Sequence, residues 1–147
     1  MLSDELINCF KDTFQISIYT RVSYNTNYSI KSNKVYMEGF VSTQKRKEEH
    51  AVINICSGTT FSIVRNYLQY GRVAVLNFAN PVIPGGGVGN GAMAQEECLC
   101  RSSNLYACIS ASNVYEEYYG YHRNLKNYFY SDRLIYTKDA SLVYINL

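Results

Sequence analysis

The chain has 147 residues, a formal net charge of +2 and five cysteines, of which no two are spaced as Cys-x-x-Cys. This length predicts one domain over residues 1–147, and the balanced charge gives no reason to expect direct nucleic-acid binding. Without a membrane-length apolar run, a signal-peptide pattern or an even number of cysteines, we expect a cytoplasmic protein with reduced thiols and no membrane contact.

The first fifty residues predict one helix and one strand. Apolar residues at every fourth position indicate an amphipathic helix with Ser3 as its N-cap, and they are Leu2, Leu6, Phe10 and Phe14. Residues 24–33 are rich in Asn, Ser and Thr and predict a loop. Alternating apolar positions over 35–41 predict a half-buried strand, followed by a charged turn at 44–50.

Two continuous apolar runs flank a helical pattern in the middle of the chain. Residues 51–56 and 73–78 are predicted as strands. Between them a helix is expected to begin near Thr60 and to end at Gly71. Strand, helix and strand with continuous apolar runs predict a βαβ unit with a parallel sheet.

The last third of the chain predicts one long helix and several shorter pieces. The long helix is expected from about Gln95 to Ile109, with Leu99, Tyr106 and Ile109 facing inward. Short helical or irregular pieces are expected at 114–119 and 125–130, and strands at 134–136 and 142–147. Because a domain rarely stops on an apolar strand, we expect a fold that is cut short at its C-terminus.

Residues 80–97 carry the strongest functional signal. Five of the nine glycines lie between Gly85 and Gly91, both prolines precede them, and Glu96 and Glu97 stand at the start of the next helix. Glycine allows close approach of the backbone to a ligand, and a helix N-terminus offers free N–H groups to an anion. Adjacent carboxylates would repel a phosphate, so the expected ligand carries phosphates at one end and a reactive polar bond at the other.

Simpler interpretations of the same residues stay open. Asn80 is either a ligand-contacting residue or a turn-initiating residue before proline. The two glutamates could serve only to complement the helix dipole, and the glycines could form an ordinary Pro-Gly turn. A dinucleotide site fits Gly-x-Gly-x-x-Ala over 87–92, but that pattern begins nine residues after Phe78 and lacks the later acid.

The segment resembles the macrodomain-type poly(ADP-ribose) glycohydrolases, in particular their bacterial-type members. Their signature is a triple glycine followed closely by Gln-Glu-Glu, and here seven residues separate Gly85-Gly86-Gly87 from Gln95-Glu96-Glu97. Similar flanks are Asn77-Phe78-Ala79 and the Leu-Cys-Arg-Ser-Ser-Asn-Leu-Tyr run over 99–106. Two features depart from the family: the proline of a later Ser-Pro-Asp-Val motif is missing, and the family continues beyond the equivalent of Leu147.

The resemblance implies a fold and an activity. The implied fold is α/β, a macrodomain-like mixed sheet between helices, truncated at the C-terminus. The implied reaction hydrolyses ribose–ribose O-glycosidic bonds in poly(ADP-ribose) and releases ADP-ribose, with Glu97 as general acid/base and Glu96 holding ribose hydroxyls. The implied substrate-binding positions are Asn80, Gly85, Gly86, Gly87, Val88 and Gln95. The glycine N–H groups are expected to contact the diphosphate and the distal ribose, and Gln95 could order the loop instead of contacting the ligand.

No cofactor or metal is implied, and the expected partner is ADP-ribose or poly(ADP-ribose) on modified proteins. The alternative function is a catalytically weak or inactive ADP-ribose-binding macrodomain fragment, which needs a second segment or associates with itself. His50 and His122 are isolated and are expected to be solvated. Cys98 and Cys100 are expected to be small buried residues, and the tyrosines over 115–121 to serve packing.

Overall fold

The computed structural model describes residues 3–44, 50–126 and 129–143, and it is rich in helix, with one two-stranded sheet. Two compact units make up the chain, one of Met1–Glu38 with Asn77–Leu147 and the other of Gly39–Leu76. In chain order the elements are α1 (Ser3–Tyr19), α2 (Val22–Ser32), β1 (Lys34–Tyr36), α3 (Thr60–Leu68), a 3₁₀ helix (Val88–Asn90), α4 (Gln95–Ser102), α5 (Leu105–Ile109), α6 (Ser112–Val114), a π-helical turn (Tyr115–Gly120), α7 (Tyr121–Arg123) and β2 (Leu134–Tyr136). None of these helices is long and apolar enough to cross a bilayer.

The amphipathic helix predicted at the N-terminus is confirmed as α1, which packs on α2, α4 and the 3₁₀ helix. Phe10 and Phe14 place their rings edge-on to Tyr106, at centroid distances of 4.8 and 5.3 Å. Leu2 lies outside the described residues. Ser3, predicted as the N-cap, is instead the first helical residue described, and its hydroxyl donates to the carbonyl of Asn90.

The loop predicted over 24–33 is wrong, because most of it lies in helix α2. Two of its polar side chains, those of Thr26 and Ser29, are buried and hydrogen-bonded rather than solvated. The Asn104 amide donates to the Thr26 hydroxyl at 3.1 Å, and the Ser29 hydroxyl donates to the carbonyl of Asp139 at 3.0 Å. These long-range partners outweigh the weak intrinsic preference of Asn, Ser and Thr against helix.

The long helix predicted from Gln95 to Ile109 is broken into α4 and α5 at Ser103, whose backbone is extended. The Ser103 hydroxyl donates to the carbonyl of Leu99 at 2.7 Å and accepts the Leu105 N–H at 3.2 Å. Serine competes in this way for helical hydrogen bonds. Leu99 and Ile109 are buried as predicted, whereas Tyr106 is partly buried.

The observed sheet pairs β1 with β2 antiparallel, with Val35 opposite Ile135. The strand predicted at 134–136 is confirmed, whereas β1 ends at Tyr36 and the predicted continuation to 41 is not strand. Of the strand predicted over 142–147, Leu142 forms an isolated bridge with Ser103, and residues 144–147 lie outside the described part of the chain.

The second unit contains α3, which begins as predicted, with the Thr59 hydroxyl accepting the Ser62 N–H. The flanking runs at 51–56 and 73–78 form no β-ladder with any described residue, so the predicted parallel βαβ sheet is absent from the described chain. A strand requires a neighbour that pairs with it in a β-ladder, and no described residue pairs with these runs in that way. Val52, Ile53 and Ile55 are accordingly 84, 86 and 98% exposed.

Candidate active site

The loop that leads into α4 begins with a turn organised by Asn80. Its side-chain oxygen accepts the N–H groups of Val82 and Ile83, each at 2.9 Å. This is the hydrogen bonding of a turn-initiating asparagine, one of the two roles that the sequence left open. The predicted contact of Asn80 with ribose stays a prediction.

The glycines of the loop satisfy two structural demands. Gly85 and Gly86 have positive φ values of 71° and 55°, a region that side chains with a Cβ rarely occupy. A Cβ at Gly86 would lie 2.5 Å from the Oε1 atom of Glu97, and a Cβ at Gly87 would lie 2.9 Å from that of Ala92. The loop therefore passes directly over the Glu97 carboxylate.

Glu96 is 3% exposed, and both of its carboxylate oxygens hold the loop. Oε2 accepts the Asn80 N–H at 2.8 Å, and Oε1 accepts the Gly85 N–H at 3.2 Å. Burial raises the pKa of this carboxyl above its ordinary value of 4.5, although the two backbone hydrogen bonds oppose that rise; the charge of Glu97 adds to it. Glu96 thus joins the start of the loop to the start of α4.

Glu97 is also buried, at 7% exposure, but it is bonded on one side only. Its Oε1 atom accepts the Gly87 N–H at 2.9 Å. Its Oε2 atom is buried and has no hydrogen-bond partner among the residues that the structure describes. A buried polar atom without a partner is uncommon, and this one belongs to a carboxylate that lies against Gly86.

The structure places Val88 within the loop and Gln95 at the start of α4, next to the two glutamates, and these two residues make different contacts. Gln95 accepts the Phe78 N–H through its side-chain oxygen at 2.9 Å, which is the loop-ordering role considered for it. Val88 is 2% exposed and belongs to the apolar core with Cys100 and Ile109. Only the backbone of Val88 is therefore placed to contact a ligand.

The N–H groups of the three consecutive glycines all donate within the protein. Gly85 and Gly87 donate to the two glutamates, and Gly86 donates to the carbonyl of Ile83 at 3.0 Å. The expected diphosphate contact through these three N–H groups is untested and stays a prediction. In the structure, the N–H groups of Gly85 and Gly87 hold the two carboxylates in place, and that of Gly86 closes a turn within the loop.

Sequence reasoning did not assign a role to Arg101, which is 6% exposed and fastens the far end of the loop. Its guanidinium donates to the carbonyl of Ala92 at 2.6 Å and to the Cys98 sulfur at 3.4 Å. Cys98 is exposed, so its predicted burial is wrong, whereas Cys100 is buried as predicted. Burial, then the charges of both glutamates, raise the pKa of the Cys100 thiol, which keeps it neutral.

His122 is buried at 3% exposure, so the expectation of a solvated side chain is wrong. Its ring nitrogens contact the carbonyl of Tyr118 at 2.8 Å and the hydroxyl of Ser131 at 2.9 Å. His50 is exposed, as expected. In the described ranges no three His, Cys, Asp or Glu side chains are grouped to hold a metal ion.

Two of the tyrosines predicted to serve packing lie near the carboxylates. Burial, followed by the charge of Glu96, raises the pKa of the Tyr118 and Tyr119 hydroxyls. Tyr119 is fully buried, and its ring packs edge-on against Tyr118 at 5.0 Å. The packing role is confirmed for Tyr119, while its proximity to Glu96 depends on tertiary structure that the sequence did not show.

Two clefts of about 340 and 390 Å³ flank α3 in the second unit. Ile63 and Tyr67 line both clefts. Among the described residues, neither cleft is lined by a carboxylate or a histidine, whereas Glu96 and Glu97 lie against the glycine loop of residues 85–91.

Comparison with known proteins assigns this arrangement to a family. The model of the family described as "Microbial-type PARG, catalytic domain" matches residues 8–143. A solved structure of poly(ADP-ribose) glycohydrolase (PARG) from Thermomonospora curvata is 26% identical, with a TM-score of 0.76, over 95% of this chain and 56% of that chain. The comparison with curated proteins found no match.

Two further structures of the Thermomonospora curvata enzyme are similar to this chain. One is bound to the inhibitor ADP-HPD, and the other carries a glutamate-to-alanine substitution. Each is 27% identical, with a TM-score of 0.74, over 95% of this chain and 55% of that chain. The chain thus spans a little more than half the length of the solved relatives.

Proposed function

Because this chain belongs to the microbial-type PARG catalytic domain family, we propose that it hydrolyses ribose–ribose O-glycosidic bonds in poly(ADP-ribose) and releases ADP-ribose. The substrate class follows from the name of the solved relatives and from the ADP-HPD inhibitor bound to one of them. A macrodomain-like mixed sheet is part of the same proposal, supported by the TM-score of 0.76.

The observation that carries the proposal is the asymmetric bonding of Glu97. The Gly87 N–H fixes Oε1 at 2.9 Å, while Oε2 is buried and has no partner in the described chain. A fixed carboxyl with one open oxygen suits a general acid/base, since the open oxygen can hold the proton that is transferred. In the reaction, Oε2–H protonates the bridging oxygen as its bond to the anomeric carbon breaks.

The remaining steps conserve atoms and protons. An oxocarbenium-like ribose forms, a water molecule adds to its anomeric carbon, and the Glu97 carboxylate takes the proton that the water releases. The products are two ribose hydroxyls, and Glu97 returns to its starting state. One bond and one water molecule are consumed in each turnover, and no cofactor enters the balance.

Glu96 and the loop are proposed to position the substrate. Each Glu96 oxygen accepts one backbone N–H and keeps a further lone pair, which can accept a ribose hydroxyl. The positive φ of Gly86 lets the backbone cross the Glu97 carboxylate without a side chain that would exclude substrate. Asn80, Gln95 and the backbone of Val88 complete the proposed binding residues.

The alternative is an ADP-ribose-binding module with weak or no turnover, which needs a second segment. It is favoured by the coverage of only 56% of the solved relative. Purified chain is therefore incubated with poly(ADP-ribose), released ADP-ribose is quantified by chromatography, and ADP-ribose binding is measured by calorimetry. Release that grows with enzyme concentration supports the hydrolase, and binding without release supports the module. If the chain shows no release and no binding, hydrolysis by this chain alone is refuted and a fragment that needs a second segment is favoured.

A further inference from the structure

Within the described residues, the three consecutive glycines and Arg101 already use their donors on protein acceptors rather than leaving them for the phosphates of the proposed substrate. The N–H groups of Gly85, Gly86 and Gly87 donate to protein acceptors. The nearby Arg101 is buried and holds Ala92 and Cys98 through its two terminal nitrogens. A diphosphate at this loop requires a different cation.

Arg123 provides such a cation on the outer side of the loop. Its Nε donates to the carbonyl of Val82 at 2.9 Å, and its guanidinium carbon lies 4.5 Å from the centre of the Tyr115 ring. These two contacts hold the guanidinium in place, although the residue is exposed. Its Nη1 and Nη2 atoms have no hydrogen bond or ion pair with the residues that the structure describes.

A continuous chain of hydrogen bonds joins Arg123 to the carboxylates. Arg123 bonds to the Val82 carbonyl, the Val82 N–H bonds to the Asn80 side chain, and the Asn80 N–H bonds to Glu96 at 2.8 Å. The cation is thus fixed to the same short turn that Glu96 fixes from the other side. A ligand whose ribose hydroxyls donate to the glutamates would place its phosphates near the turn, where Arg123 supplies the opposite charge.

We infer that Arg123 binds a phosphate of the substrate's diphosphate through its Nη1 and Nη2 edge and thereby helps to select nucleoside diphosphates. This inference rests on the proposed function for the placement of ribose at the glutamates. A guanidinium presents paired N–H groups that match two phosphate oxygens, and prior fixation lowers the ordering cost on binding. The ammonium of a lysine at this position would lack the paired N–H donors that match two phosphate oxygens.

The test uses ADP as probe, because ADP carries the diphosphate without the scissile bond. Calorimetry compares the full-length wild type with Arg123→Met, Arg123→Lys and the control Arg21→Met, which removes an exposed cation at the start of α2. We expect Arg123→Met to weaken ADP binding by about tenfold or more, since it removes two charge-assisted hydrogen bonds, and Arg123→Lys to restore only part of the affinity. Arg21→Met is expected to bind like the wild type.

Calorimetry at several salt concentrations distinguishes the loss of a charge contact from a turn that the substitution has disordered, because salt screens only the charge contact. The difference in ADP affinity between wild type and Arg123→Met is expected to become smaller as the salt concentration is raised. ADP binding by Arg123→Met within twofold of the wild type, a salt-independent gap, or no ADP binding by the wild type would each overturn the inference. ADP binding that depends on Arg123 without glycosidic turnover would instead sustain it and overturn the proposed hydrolysis.

Discussion

Glu96 and Glu97 are adjacent in sequence but have different surroundings. Successive helical residues point about 100° apart, so the two carboxylates meet different parts of the loop. Glu96 binds the N–H groups of Asn80 and Gly85, whereas Glu97 binds that of Gly87 and keeps one oxygen open. This division of bonds is the physical basis for giving the two glutamates different roles.

The raised pKa of Glu96 predicts a pH dependence of stability. The folded protein binds the Glu96 proton more tightly than the unfolded chain does, so the protonated carboxyl stabilises the folded state. This contribution to the free energy of unfolding is complete below the ordinary pKa of 4.5 and is lost as pH rises through the raised pKa of the folded state. Relative to Glu96→Gln, the free energy of unfolding of the wild type is expected to fall as pH rises from 4.5. Urea unfolding of both proteins at several pH values measures this difference, and a rising or flat difference would contradict it.

Gly86→Ala is expected to disable the site while leaving the protein folded. The substitution introduces a Cβ 2.5 Å from Glu97 Oε1, at a φ of 55° that itself costs about 1–2 kcal/mol. ADP-ribose release should fall strongly and ADP-ribose affinity should weaken, with cooperative unfolding retained. Gly89→Ala is the matched control, because a Cβ there has no atom within 4 Å and its φ is not positive.

Equal activity of Gly86→Ala and Gly89→Ala would show that the loop tolerates a side chain over the carboxylate. The loop would then be an ordinary turn, as the simplest interpretation of Pro84 and Gly85 held. The comparison needs no assumption about the ligand, since both variants are assayed with the same substrate.

At the element scale, local signals located the starts of α3 and α4 but missed helix α2 and the break between α4 and α5. The start of α4 at Gln95 and the Thr59 cap of α3 follow from residues that are neighbours in sequence. The break at Ser103 and the helix α2 depend on partners far along the chain, such as Asp139 for Ser29. No inspection of either segment alone reveals those partners.

Asn104 connects three segments and should be among the most sensitive polar residues. It is fully buried, donates to the Thr26 hydroxyl at 3.1 Å and accepts the Ser141 N–H at 2.8 Å. Asn104→Ala leaves the Ser141 N–H without its acceptor, while the Thr26 hydroxyl keeps its bond to the carbonyl of Val22, so the expected loss is about 1–3 kcal/mol, measured by urea unfolding. Asn113→Ala is the control, because Asn113 is exposed and makes one hydrogen bond, to the carbonyl of Ile30; an equal loss in both variants would contradict this role.

At the scale of the whole molecule, the site was more predictable than the sheet. Gly85–Gly87 and Gln95–Glu97 lie close together in sequence, so a local motif locates the loop and its carboxylates. The predicted sheet required runs 51–56 and 73–78 to find hydrogen-bonding neighbours, and apolar composition does not identify a neighbour. The family membership is confirmed, although the parallel βαβ arrangement is absent from the described residues.

The exposed apolar run of the second unit predicts self-association. Consecutive residues Val52 and Ile53 and the nearby Ile55 are 84–98% exposed, and their segment has no ladder partner in the described chain. Such a segment is a template for pairing with another chain, and a charge on it opposes that pairing. In size-exclusion chromatography with light scattering, the wild type should exceed the 16.8 kDa monomer mass, and Ile55→Lys should shift it toward monomer.

The control for this shift is Tyr19→Lys, which adds the same charge at a position that is 80% exposed on α1. It is expected to leave the association unchanged. A monodisperse wild-type monomer, or an equal shift in both variants, would show that the run at 51–56 is not the associating surface.

The role of Glu97 is tested most directly by comparing ADP-ribose release from poly(ADP-ribose) by the wild type and Glu97→Gln at equal concentration. The amide keeps the shape and the bond from Gly87 but cannot donate the proton, so the rate should fall by about 10²–10⁴-fold. ADP-ribose affinity should stay within a few fold, and the exposed control Glu117→Gln should match the wild type. Near-normal release by Glu97→Gln would contradict the assignment of Glu97 as the general acid/base.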